Sequence, residues 1–127
     1  MIYYVDGWMI GRNPSHIGGG FTIVNERHEL VKRHTIYKNP FTNNDGELFA
    51  IAYAAYKAAP GDTIITDSQC AYNWVLSGFV KADARADLRP VARRAHKWVN
   101  EKRLNLKWEP RESNLAGQYN EKHPQKS

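Results

Sequence analysis

"TNNDGELFAIAYAAYKAAP", residues 42–60, is the stretch on which the reading of this chain turns. Polar residues open it, an apolar run at helical spacing follows, and Pro60-Gly61 closes it. The spacing predicts a helix over about 44–59, with Leu48, Ile51, Ala55 and Ala59 along one stripe. Glu47 stands just before that run and three residues after Asn44, which is the spacing of a capping box. Capping alone would account for a carboxylate there. So would a catalytic task, and the two readings can be separated only by what the flanking sequence brings to the same place.

Upstream, "IYYVD" (2–6) reads as a short apolar strand, followed by the Gly-rich loop "GWMIGRNPSHIGGG" (7–20). "FTIV" and "ELVKRHTIY" then alternate around "NERH" as a hairpin. Downstream, "DTIITD" (62–67) is a β-branched strand, and a helix starts near Ser68 and stops before Ser77-Gly78. A basic helix is expected over about 84–103, then a strand in "LNLKWEP", then a short helix from Asn114 that frays into "EKHPQKS". The order βββαβααβα implies an α/β domain with one mixed five-stranded sheet flanked by helices. Three antiparallel strands come first, two parallel strands follow, and strand one is central. One domain spans residues 1–121, with a polar tail over 122–127; neither a repeat nor a linker interrupts it.

Composition agrees with a single globular domain: 127 residues, 42% hydrophobic and 24% charged. No apolar run is long enough to span a membrane, and the start "MIYYVDGW" lacks the pattern of a signal peptide, so a cytoplasmic monomer without membrane association is expected. The single cysteine, Cys70, excludes an internal disulfide and a Cys-rich metal site. A net charge of +5 and a pI near 9.4 favour a polyanionic partner. The excess is concentrated in "RPVARRAHKWVNEKR" (89–103), where Arg93, Arg94 and Lys97 are candidate phosphate contacts. A solvated helix face is the plainer account of the same run, and Trp74, Trp98 and Trp108 read as packing residues.

Asp6 and Asp67 each end a predicted strand. If those strands are parallel neighbours, both side chains emerge at the carboxyl edge of the sheet, where open α/β sheets hold ligands. The first turn of the 44–59 helix would bring Glu47 to the same mouth. Separately, Asp6 before Gly7 can open a turn and Asp67 before Ser68 can cap a helix. Together they form a like-charged cluster, which calls for a counter-ion, and hard oxygen ligands select Mg2+ or Mn2+.

"YVDG", "TNNDGEL" and "TDSQ", in that order and on those elements, resemble the type 1 ribonuclease H family over nearly the whole chain. The resemblance implies a ribonuclease H-like fold and Mg2+-dependent endonucleolytic cleavage (Mn2+ also serving) of the RNA strand of RNA–DNA hybrids. It implies that Asp6, Glu47 and Asp67 are metal ligands. Asn43, Asn44 and Gln69 would contact the minor groove of the hybrid, as would Asn13, which stands one residue further from the Asp-Gly than in the family. The residue types suit that chemistry. Two metal ions roughly 4 Å apart can activate a water and stabilise the leaving oxygen of a phosphodiester, with carboxylates bridging them. Amides both donate to and accept from a 2′-hydroxyl, the group that marks RNA.

One feature departs from the family. An Asp normally opens its last helix, whereas "PRESNLAGQYNE" puts Gly117 or Gln118 there. Glu121, four residues after Gly117, shares its helix face and leans back toward it, so it is the expected fourth ligand, the alternative being a surface residue beside a site of three carboxylates. No histidine precedes this helix in the place of the family's product-release loop. Two rival readings are another metal nuclease of the same fold and a hybrid-binding module impaired in cleavage.

Overall fold

The computed structural model of the chain describes residues 1–81 and 83–124, the side chains of residues 83 and 84 excepted. Five strands form one sheet in the order β3-β2-β1-β4-β5: β1 Ile2–Met9, β2 Gly18–Asn25, β3 Leu30–Tyr37, β4 Thr63–Thr66 and β5 Asn105–Trp108. The first three are antiparallel, and β4 and β5 continue the sheet in parallel on the other side of β1. This is the mixed sheet the element order implies, with strand one at its centre. Asp6, however, does not end β1. It lies mid-strand, opposite Thr22, just past Tyr4 where the pairing with β4 stops. The short β4 therefore leaves a notch beside the second half of β1.

Helix α1, Asn43–Lys57, crosses β1 and β2 and packs on helix α3, Arg89–Glu101. Its buried side is built from Leu48 and Ile51 together with Ala50, Ala52, Ala54 and Ala55, and it meets Ala92 and Ala95 of α3. Small side chains at both surfaces let the axes approach closely. Thr42, not Asn44, caps α1: its hydroxyl oxygen accepts from Asp45 N at 3.3 Å and its proton goes to Asp45 Oδ1 at 2.8 Å. Asp45 thus holds the third position after the cap, bonded to the cap's hydroxyl, and Glu47 lies deeper in the helix, where no cap explains it. The helix stops at Lys57 because Ala58 turns extended ahead of Pro60. Ala58 is buried instead of Ala59, which is exposed. Lys102 Nζ closes the helix end by donating to the carbonyls of Ala55, Tyr56 and Ala58 at 2.6–2.9 Å.

Helix α2, Gln69–Ser77, is capped by Ser68 and ends on Gly78 at φ 72°. The basic helix α3 spans Arg89–Glu101, later than expected, because Pro90 is suited to a first turn and a 3-10 segment, Asp83–Leu88, precedes it. Helix α4, Leu115–Lys122, is capped by Asn114, whose side chain accepts from Ala116 N and Gly117 N. It packs on β1 and β2 on the face to which Asp6 and Thr22 point, opposite α1. The polar tail expected from residue 122 thus begins inside this helix, and residues 125–127 lie outside those described.

Candidate metal centre

The mouth of the sheet is shaped by glycine. Gly7 of β1 and Gly46 of α1 face each other so closely that a Cβ on Gly46 would lie 2.9 Å from Gly7 Cα, and one on Gly7 would lie 2.7 Å from Glu47 N. Helix backbone rests directly on strand backbone, and no other residue type fits at either place. Glu47 is thereby lowered into the notch beside β1. Asp6, Glu47 and Asp67 each present a carboxylate oxygen within 4.8 Å of the other two.

Polar contacts stitch this corner together. Thr66 Oγ1 donates to Glu47 Oε2 at 3.1 Å and accepts from Ser68 N at 3.1 Å. Ser68 Oγ donates to Asn44 Oδ1 at 2.7 Å while capping α2 through Ala71 N. The first turns of α1 and α2 are therefore tied at the point where β4 ends, and Asn44 is held beside the carboxylates. From β5, Trp108 Nε1 donates to the carbonyl of Asp67 at 3.1 Å.

Burial sets the electrostatics. The Asp6 carboxyl is pushed up to about 6, chiefly by burial, against the lowering effect of a hydrogen bond from Asn120. Burial likewise raises Glu47 well above the usual carboxylate range, helped by its hydrogen bond with Asp67 and the charge of Asp6. Asp67 Oδ2 is buried and has no hydrogen-bond partner among the described residues. The nearest cation is Arg111, whose Nη1 lies 3.8 Å from that oxygen and 3.9 Å from Asp6 Oδ1. Crowded acids, a buried carboxylate oxygen without a hydrogen bond among the described residues and an all-oxygen donor set fit a hard divalent cation.

The other expected residues fall around this centre in different ways. Asn43 and Gln69, in the first turns of α1 and α2, are exposed at the mouth, and Asn13 is exposed in the β1–β2 loop. Arg93 and Lys97 are exposed on α3 and touch none of the carboxylates. Arg94 borders a groove of about 460 Å3 shared with Phe21, Tyr53 and Trp98, away from the metal centre. Glu121 does not join the cluster: it is exposed on α4, and the α4 residue that reaches Asp6 is Asn120, at 2.8 Å. The reason is helical geometry. Gly117 faces Asp6, and Asn120 and Glu121, three and four residues on, fall to opposite sides of that direction; Asp6 lies on the Asn120 side.

Three contributors were not anticipated. Arg111 lies in the same "EPRESN" stretch that lacks a histidine. Asn120 was hidden beside a more conspicuous glutamate. Asp45, fully buried, pairs with Arg85 and lies 3.8 Å from Lys38, which itself meets Asp87 at 2.6 Å, so the segment before α3 is pinned to the start of α1. The signal for Asp45 was its place three residues after Thr42.

No protein-family model and no curated protein matches the sequence. Solved structures do resemble this one. The N-terminal RNase H domain of a Mycobacterium tuberculosis protein aligns at a TM-score of 0.62 and 22% identity, covering 89% of this chain and 84% of that one. RNase H1 from the halophilic archaeon Halobacterium salinarum aligns at a TM-score of 0.62 and 21% identity, covering 93% and 91%. The chain has the ribonuclease H fold.

Proposed function

We propose that this chain is an endoribonuclease that hydrolyses the RNA strand of RNA–DNA hybrids with Mg2+, or Mn2+, bound as two ions by Asp6, Glu47 and Asp67. The observation that carries this reading is the meeting of those three carboxylates within 4.8 Å at the edge where Asn44 is hydrogen-bonded in place. Divalent ions bound there would activate a water and stabilise the leaving oxygen of an in-line displacement. The protein's part is to hold the ligands: Thr66 orients Glu47, Asn120 orients Asp6, and the α2 cap fixes Asn44. Asn43, Asn44 and Gln69 offer amides that both donate and accept, which suits a 2′-hydroxyl in a minor groove. Arg111, exposed beside the carboxylates, suits a phosphate oxygen. The ribonuclease H fold of the two aligned structures supports the substrate class.

The test is digestion of an end-labelled hybrid with and without Mg2+, beside duplex DNA, duplex RNA and single-stranded RNA. Cleavage of the RNA strand of the hybrid, dependent on Mg2+, is expected. Equal cutting of duplex DNA would favour a different metal nuclease of this fold. Gly117 in place of a fourth acid favours the second reading, a hybrid-binding module, and tight hybrid binding with no cleavage in Mg2+ or Mn2+ would establish it.

A further inference from the structure

Helix α4 meets the carboxylates with an amide and a bare backbone. Asn120 Nδ2 donates to Asp6 Oδ2 at 2.8 Å, and its Oδ1 accepts from the Thr22 hydroxyl at 2.7 Å. Thr22 is fully buried and sits opposite Asp6 in the β1–β2 ladder. The two ends of an amide have nearly the same shape, so its direction is set by its partners. An ionised Asp6 can only accept, which calls for the NH2 group. Thr22 supplies the matching proton to the other end. Oδ2 of Asp6 is thus engaged, while Oδ1 lies on the side of Arg111.

One turn earlier, Gly117 faces the same carboxylate. A Cβ built there would lie 3.8 Å from Asp6 Oδ2 and 3.8 Å from Asn114 Cβ, which is ordinary contact. The backbone is helical, so a side chain would be accommodated without strain.

We propose that Thr22 and Asn120 form a relay that positions Asp6 for metal binding, and that the space beside Gly117 accepts a carboxylate as an added ligand. A neutral amide here does part of what a fourth acid would do. It fixes the rotamer of Asp6 without adding a negative charge to a buried cluster, and it leaves the centre with fewer ligands and a lower metal affinity. The relay rests on the metal-centre reading above, so its test is metal binding with no nucleic acid present.

The experiment is calorimetric titration of the full chain with Mn2+, for wild type, Asn120→Ala, Thr22→Val, Thr22→Ser and Gly117→Asp, with melting in EDTA as the control for folding. Loss of a partner that orients a ligand typically weakens metal binding tenfold to a hundredfold, and about tenfold is expected for Asn120→Ala. Thr22→Val is expected to weaken Mn2+ binding in the same direction, and Thr22→Ser, which keeps the hydroxyl, to restore it. Gly117→Asp is expected to melt earlier in EDTA yet bind Mn2+ more tightly, an opposition that no purely structural role would give. Unchanged Mn2+ affinity in folded Asn120→Ala would overturn the relay, and Asn120 is only half-buried, so that variant decides even if Thr22→Val fails to fold. Gly117→Asp binding no more tightly would overturn the added-ligand claim. A wild type that binds no Mn2+ would overturn the metal centre and the relay with it.

Discussion

Replacing Asp6 with Asn should make the metal-free protein more stable. Asp6 is only 3% exposed, and its carboxyl titrates at about 6 against an ordinary 3.8. Because the folded pKa is the higher one, the folded state holds the extra proton between those two values. Stability from this group is therefore full below about pH 4 and is lost as the pH rises through 6. At 1.36 kcal/mol per pKa unit, the ionised carboxyl costs the folded state about 3 kcal/mol at pH 7.5. Asparagine removes the charge but keeps an oxygen to accept from Asn120. An unfolding entropy of about 2.1 cal/mol/K per residue gives about 0.27 kcal/mol/K for 127 residues, so the melting temperature in EDTA should rise by about 10 °C. The assay is thermal unfolding of both proteins in EDTA from pH 4.5 to 8. Their curves should converge toward pH 4 and draw apart between about 4 and 6, the gap holding constant above 6. Saturating Mg2+ should reverse the order, since a ligand stabilises only the form that binds it. A variant that melts at or below wild type at pH 7.5 in EDTA would refute the assignment of buried strain to Asp6.

Asp67→Asn should abolish hybrid cleavage while leaving the EDTA melting temperature at or above wild type, because Asp67 raises the proton affinity of Glu47; wild-type cleavage would remove Asp67 from the site. Gly7→Ala should cost about 3 kcal/mol, since overpacking against backbone cannot relax through a rotamer, and its melting temperature should fall by roughly 10 °C. Glu121→Gln should leave both Mn2+ affinity and cleavage unaltered, and a tenfold loss in either would return Glu121 to the centre. Neutralising Arg93, Arg94 and Lys97 should flatten the slope of log affinity against log salt by about 0.9 for each phosphate contact removed. An unchanged slope would mean that α3 does not touch the hybrid.

Most of the fold was legible because each element carries its own punctuation. Pro60-Gly61 stops α1, Ser68 and Asn114 cap their helices, and "NERH" turns the hairpin. The three carboxylates were legible because their order along the chain places them at one sheet edge. What stayed hidden depends on distances between elements. Asn44 and Glu47 satisfy the local capping rule as well as Thr42 and Asp45 do, and the close contact between Gly7 and Gly46 shows how Glu47 reaches the place the resemblance gives it. The charge of Glu121 is visible in the sequence, whereas the side of the helix that Asp6 meets, the side of Asn120, is not. The pairing of Asp45 with Arg85 joins positions forty residues apart, beyond any periodicity.

The backbone contact at Gly7 and Gly46 makes the two walls of the mouth unequal in compliance. On the α1 side, helix and strand are already as close as atoms allow, so that wall can neither close further nor slide without prising the sheet from the helix. The α4 side is joined to the sheet near the centre by side-chain bonds, Asn114 to the carbonyl of Val5 and Asn120 to Asp6, and such bonds can lengthen one at a time. A widening of the cleft would therefore swing more readily on α4 than on α1. Of the three carboxylates, Asp6 is the one held from that side by Asn120, so it would register the movement first, whereas Glu47 would stay with its helix.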